Sequence, residues 1–320
     1  MTKYVDLAIR HAPLRGTTKE PMRFRNALTA WRFGGALRAG RLALVYQPKV
    51  AMVDGRPLGA EALIRWHDRR GLVPTGEFIH LIERTRRAKR LDAFVLSEAA
   101  RQVRVLCEAG VPHPIAVNLS PTAFGDVAIV ARIEDLIERC DLPAGSLQIE
   151  MTERALDEGE IAIEVIERLA AAGIGVTLDD FGIGFSSLER LVRLRLEGMK
   201  IDRSFVRALE THERAAAVVY SAAELAHALE LTITAEGIED AHTWHRLRAL
   251  GVDYAQGYLI ARPISGDDLV EWFKQNDQVM MERRSGGDRR HLLEVRPAPR
   301  ERRAWRERRT EDPPRALTPA

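Results

Sequence analysis

The chain has 320 residues, 46% hydrophobic and 29% charged, which is the balance of a folded globular protein and excludes a disordered one. No apolar run approaches the roughly 18 residues of a membrane span, and the N-terminus lacks the apolar stretch of a secretory leader, so a cytoplasmic protein is expected. The net charge of +2 hides an asymmetry: residues 1–30 carry +4 and residues 281–320 carry +5, which leaves an acidic body of −7. An acidic body argues against a nucleic-acid-binding surface. It leaves room for a phosphate ester as substrate, because bound metals reverse local charge. Cys107 and Cys140 are widely spaced in helix-like segments and imply neither a disulfide framework nor a zinc site.

Residues 1–30 show no clear periodicity and read as a flexible or helical lead-in. A helix is expected over 30–41. From Leu44 onward strand and helix signals alternate. Strands begin near Leu44, Leu58, Ile115, Leu147, Gly175, Gly198, Thr232 and Tyr254, with helices between them, for example over 160–172 and 213–229. Eight strands alternating with helices mean an α/β fold with a largely parallel sheet, most economically a barrel. The first two strands are joined by Asp54-Gly55-Arg56, a hairpin signal that a plain barrel would not begin with. The expectation is therefore a modified (β/α)8 TIM-like barrel with one antiparallel strand, over residues 31–276. A helix over 266–275 closes it. The remainder, 277–320, is rich in Arg, Glu and Pro, cannot build a core, and is expected to be disordered.

Polar residues recur at the ends of these strands: Glu61, Asn118, Glu150, the pair Asp179-Asp180, Lys200, Glu236 and Gln256. In a parallel barrel such ends meet on one face, where active sites lie. Carboxylates gathered there repel unless cations neutralise them, which calls for hard divalent ions with oxygen ligands. Glu61, Asn118, Glu150 and Asp179 suit one Mg²⁺ or Mn²⁺. Asp179 next to Asp180 can bridge to a second ion, with Glu236 as a further ligand. Two ions about 3.5–4 Å apart activate a water and stabilise the leaving oxygen of a phosphodiester displacement. Lys200 can hold the attacking water or a phosphate oxygen by a charge-assisted hydrogen bond, or act as a counter-ion; both roles can coexist. Any one of these acids alone reads equally well as a structural ion pair. Met151, Trp66 and Trp244 read as core or lining.

Several separated motifs appear in one order: YQP at 46–48, GAEALIRW at 59–66, VNLS at 117–120, IEMTE at 149–153, DDFGIGFSSL at 179–188, KIDRSFV at 200–206, AEGIE at 235–239 and QGY at 256–258. In these the chain resembles the EAL-domain family, bacterial phosphodiesterases that cleave cyclic di-GMP to the linear dinucleotide, over about residues 40–265. The resemblance implies metal-dependent hydrolysis with two Mg²⁺ or Mn²⁺ ions on the residues just named, Lys200 acting on the nucleophilic water. It implies dinucleotide contacts from Gln47 and Arg65, the arginine on a phosphate. It also implies a second group, Glu239 and Gln256, at the nucleotide and metal edge, and Glu153 holding the DDFG loop. A homodimer and a regulatory protein partner are further expectations.

The chain departs from the family pattern in three places. Ile183 stands where the family usually has Thr and Phe185 where it has Tyr, which removes two hydroxyls from the loop, while Gly182 and Gly184 keep its sharp turns possible. The stretch over 78–91 lacks the usual Pro at His80, small residue at Ile82 and Gly-hydrophobic pair near Arg86-Arg87. It reads as a basic helix away from the metal ligands, an altered surface or regulatory element. Arg195 replaces a common Pro. Gly286-Gly287-Asp288 is not followed by Glu-Phe and carries no cyclase significance. The main rival reading is a catalytically weak or silent EAL module that acts as a cyclic di-GMP receptor or protein-interaction partner. Degenerate members lose metal ligands, and none is lost here. A Mg²⁺-dependent barrel enzyme acting on a carbon acid, with Lys200 as base, is a second rival.

Overall fold

A computed structural model describes residues 22–69, 71–182 and 188–285. The expectations for Ile183, Gly184 and Phe185, for residues 1–21 and for the tail beyond 285 lie outside the described residues.

Nine strands form one sheet: β1 Leu42–Ala51, β2 Pro57–Asp68, β3 Gly71–Val73, β4 Ile115–Asn118, β5 Leu147–Thr152, β6 Val176–Phe181, β7 Gly198–Ile201, β8 Thr232–Ala235 and β9 Tyr254–Gln256. Strand β1 pairs with both β2 and β9 and so closes a barrel of eight staves, with β3 appended to the upper end of β2. Every stave from β2 to β9 is parallel to its neighbour, and β1 alone runs the other way. The modified barrel expected from the hairpin is the fold observed. Gly55, at φ 75°, permits the hairpin turn, and the Asp54 carboxylate accepts the Arg56 N–H at 3.1 Å. The short β3 carried no signal that separated it from a loop.

Among the described residues ten helices surround the staves: α1 Met22–Arg38, α2 Thr75–Glu83, α3 Ala88–Glu108, α4 Ala128–Arg139, α5 Glu160–Ala171, α6 Leu188–Arg193, α7 Arg203–Ala208, α8 Glu213–Ala228, α9 Ala241–Ala249 and α10 Gly266–Ser285. Helix α3 shows why they pack: Leu91, Val95, Leu96, Ala99, Val103 and Leu106 recur at helical spacing and are buried. Strand β4 buries Ile115, Ala116 and Val117 in succession, as a strand covered on both faces must. Among the described residues no helix is long and apolar enough to cross a membrane, and Cys107 and Cys140 are free thiols.

Three helical expectations need correction. Helix α1 begins at Met22, so it runs through the boundary placed at residue 30, and α10 continues to Ser285, past the boundary at 276. Residues 22–29 fit the helical alternative left open for the lead-in, and the tail composition, which cannot build a core, does not prevent a packed helix from running on. The stretch over 78–91 is broken in two. The Thr85 hydroxyl donates to the Ile82 carbonyl at 2.8 Å and accepts the Arg87 N–H at 3.2 Å, replacing helical bonds with a turn between α2 and α3.

Phe33 of α1, Trp66 of β2 and Phe78 of α2 meet with ring centroids 5.2–6.2 Å apart and pin α1 and α2 to the barrel. Phe78 is fully buried. Phe78→Ala should therefore cost about 3–5 kcal/mol of unfolding free energy, the range for a large aromatic cavity. Urea denaturation of the two proteins checks this, and a loss below 1 kcal/mol would show that the cluster is dispensable.

Candidate functional site

The strand ends open on a cleft of about 630 Å³. Glu61 lies midway along β2, Asn118 ends β4, Glu150 lies near the end of β5, and Asp179 and Asp180 lie near the end of β6. Glu236 is the first residue beyond β8. At their centre is Lys200 of β7, fully buried. Its Nζ is 2.6 Å from Glu236 Oε1, 2.8 Å from Glu150 Oε2, 3.1 Å from Glu61 Oε2 and 3.5 Å from Asp179 Oδ2. The Asn118 amide N–H donates to Glu61 Oε1 at 2.7 Å and to Glu150 Oε2 at 3.4 Å. Residues separated by up to 175 positions in sequence are thus within hydrogen-bond reach of one ammonium.

Adjacent residues in a regular strand point to opposite faces. Asp179 and Asp180 both line the cleft because the register of β6 against β7 shifts between Leu178 and Phe181, and Asp180 takes a left-handed φ of 56°. A bulge of this kind re-aims a side chain beside a site. The Asp180 N–H donates to Asp179 Oδ1 at 2.8 Å, and the following Gly182 N–H donates to Glu153 Oε1 at 3.1 Å. Glu153 thereby accepts a backbone bond from Gly182 of the DDFG segment.

Residues 32–263 match the family model of the EAL domain. The chain belongs to the EAL domain family. It is 37% identical over 238 residues to the bifunctional diguanylate cyclase/cyclic di-GMP phosphodiesterase MucR of Pseudomonas aeruginosa, covering 73% of this chain and 35% of that one. It is 35% identical over 235 residues to the cyclic di-GMP phosphodiesterase RocR of the same organism, covering 73% and 60%. The chain thus spans only part of the length of these relatives. A solved structure of the MucR phosphodiesterase in complex with c-di-GMP matches with a TM-score of 0.72 at 36% identity, covering 76% of this chain and 99% of that one. The EAL enzyme Bd1971, in its cAMP- and cyclic-di-GMP-bound form, matches with a TM-score of 0.76 at 30% identity, covering 78% and 69%.

In this EAL domain the other expected residues divide into two groups. Gln47 and Gln256 are buried and face Glu61: the Gln256 amide donates to Glu61 Oε2 at 2.7 Å and to Gln47 Oε1 at 3.3 Å, and Gln47 donates to the Ala261 carbonyl at 3.1 Å. They orient a carboxylate as well as line the cleft. Arg65 lines the cleft wall, with one guanidinium N–H on the Ile64 carbonyl at 2.9 Å. Glu239 lies at the exposed rim, paired with Arg207 at 3.3 Å. The stretch over 78–91, expected to lie away from the metal ligands, contributes Ile79, Glu83 and Leu91 to the cleft wall. Sequence reasoning missed Asp92, Ser120, Thr152, Arg203 and Tyr258, which also line it. Ser120, Thr152, Arg203 and Tyr258 stood inside quoted motifs, and that was the one available signal. Asp92, near the start of α3 and outside every quoted motif, gave none.

Electrostatics follow from burial. Burial opposes the charge on Lys200, and the surrounding carboxylates, Asp179 foremost, outweigh it and hold the ammonium well above its ordinary range. Burial also opposes ionisation of Glu61, yet Lys200 and the bonds from Gln256 and Asn118 keep it below the usual carboxylate range. The remaining acids move up: burial, reinforced by Glu61, pushes Glu150 to about 8, burial pushes Glu236 to about 8, and burial with Asp179 pushes Asp180 to about 6. Glu61, Glu150 and Asp179 each offer an oxygen within 4.8 Å of the others, a hard-oxygen set suited to a divalent ion. Gln256 Oε1 and Thr152 Oγ1 are buried in the cleft wall without a partner among the described residues, which also fits a bound group.

A carboxyl whose native pKa is raised binds its proton more tightly folded than unfolded, so its contribution to stability falls as pH rises from its unfolded value through its native one. For Glu236 that window runs from 4.5 to about 8. In a chelator, the urea stability of the protein should fall across this window, and Glu236→Gln should flatten the slope. An identical slope in both proteins would remove the assignment.

Proposed function

We propose that this EAL domain hydrolyses cyclic di-GMP to the linear dinucleotide with the help of two Mg²⁺ or Mn²⁺ ions. The observation that carries the reading is the gathering of Glu61, Asn118, Glu150 and Asp179 around Lys200 at the floor of an open cleft. Relatives known as cyclic di-GMP phosphodiesterases support it. Glu61, Asn118, Glu150 and Asp179 would hold one ion, and Asp179, Asp180 and Glu236 the other. Bound there, such ions supply an activated water and offset the charge of the phosphate and its leaving oxygen.

The chain's own residues do the rest. An ammonium has three N–H donors, and Lys200 meets four carboxylates. Once cations share those carboxylates, Lys200 can turn a donor toward the attacking water or a phosphate oxygen. Arg65 keeps N–H groups free for a phosphate beyond the one it gives to Ile64. Gln47 and Gln256 fix Glu61 so that its oxygens need no reorganisation. Tyr258, half exposed with Arg262 4.3 Å from its ring centroid, offers an aromatic face on which a base can stack. The working unit is a cytoplasmic homodimer in this reading, supported by the exposed apolar Leu188, Val192 and Val218 beside the DDFG loop and α8. A regulatory protein partner would act on that assembly.

Incubation of purified protein with cyclic di-GMP and Mg²⁺ or Mn²⁺ should yield the linear dinucleotide. Asp179→Asn should abolish turnover and weaken metal binding while circular dichroism stays unchanged; a folded, fully active variant sinks the two-metal reading. Binding without cleavage by the native protein under either metal establishes the receptor reading instead. Arg65→Ala should weaken substrate binding by about 1.5–3 kcal/mol, the value of a hydrogen bond to a charged group. Calorimetric titration in Ca²⁺ measures this, and unchanged affinity removes Arg65 from the phosphate.

A further inference from the structure

Asp92 of α3 is a buried carboxylate that none of the expected roles uses. It is 3% exposed, and no Lys or Arg among the described residues lies within ion-pair distance of it. Burying a carboxyl without a cation is costly unless hydrogen bonds satisfy it. Both of its oxygens are spent on a single residue: Oδ1 accepts the Ser120 N–H at 3.0 Å and Oδ2 accepts the Ser120 hydroxyl at 2.7 Å. Ser120 is thereby fixed through backbone and side chain at once.

Ser120 lies two residues beyond Asn118, where β4 ends. The chain leaving the strand is pinned step by step. The Leu119 N–H donates to the Glu150 carbonyl at 3.1 Å, Ser120 is held by Asp92, and the Ala123 N–H returns to the Ser120 carbonyl at 2.9 Å to start a tight turn over Pro121–Ala123. Asn118 sits between the sheet and this pin, with its amide across Glu61 and Glu150. Asp92 also stands in the wall between the cleft and a second cavity of about 230 Å³ between α3 and α4. Nothing else among the described residues bonds the Ser120 N–H.

We propose that Asp92 is a positioning residue: by clamping Ser120 it holds the Asn118 amide where a divalent ion would take it as ligand. The inference rests on the metal reading above. It differs from a general tether of α3 to the barrel, because a tether would affect stability without acting through Asn118.

The test is a double-mutant cycle read by Mn²⁺ affinity, measured by electron paramagnetic resonance or calorimetry on full-length protein of verified melting temperature. Groups that support a ligand typically change metal affinity about 10–100-fold. Asp92→Ala should weaken Mn²⁺ binding at least about 10-fold in the native background and cause no further loss in Asn118→Ala. Asp92→Asn, which keeps the shape and can bond Ser120 through one oxygen and one amide N–H, should restore most of the affinity. Unchanged affinity in Asp92→Ala, or an equal loss with and without Asn118, overturns the proposal. If Asp92→Ala does not fold, Ser120→Ala takes its place in the cycle, and an equal loss in both backgrounds overturns it likewise. Native protein that binds no Mn²⁺ overturns the metal reading itself, which separates that failure from this one.

Discussion

Four carboxylates within hydrogen-bond reach of one point need a cation, and in this fold the protein supplies it as Lys200. The requirement works in both directions. Without the acids, a fully buried ammonium could not stay charged; without the ammonium, Glu61, Glu150, Asp179 and Glu236 would repel one another in a low-dielectric floor. Because the partners come from β2, β5, β6 and the end of β8, the cluster exists only when those staves are in register with β7. The same charge balance explains the mixed protonation of the site. Glu61 takes most of the bonds and is held below the usual carboxylate range, while burial pushes Glu150 and Glu236 up to about 8.

Two irregularities of the barrel give this floor its shape. The reversed first strand sets Gln47 opposite Glu61 and Lys49 opposite Gln256, so the Gln256 amide of β9 reaches the Glu61 carboxylate and Gln47 of β1 holds that amide. A parallel β1–β2 pair would have needed a crossover connection in place of the short hairpin. The shift in β6 is the second. It turns two consecutive aspartates into one cleft at the cost of a left-handed Asp180, a local strain that neighbouring structure holds in place.

The mouth is less symmetrical than the floor. Helices α2 and α3 run along it only because Thr85 diverts the backbone between them, and the aromatic contact of Phe33, Trp66 and Phe78 keeps α1 seated above. Arg84, Arg86 and Arg90 at this junction are exposed and make no ion pair among the described residues.

The sequence by itself determined the fold class, the hairpin and the membership of the acidic set. Those depend on short-range patterns: strand runs such as Ile115 to Asn118, the turn at Gly55, and motif order. Glu61, Asn118, Glu150, Asp179, Lys200 and Glu236 were all legible because each lies in or just after a recognisable strand run within the ordered motifs. Only the tertiary structure decided that Gln47 and Gln256 brace Glu61, that Glu239 pairs with Arg207 at the rim, and that Ile79 and Glu83 wall the cleft. Asp92 is the clearest case, since its partner Ser120 is 28 residues away and nothing in the helix pattern of α3 marks the position. Side-chain bonds across such distances depend on how strand ends and helix starts are juxtaposed, and that geometry has no local period to read.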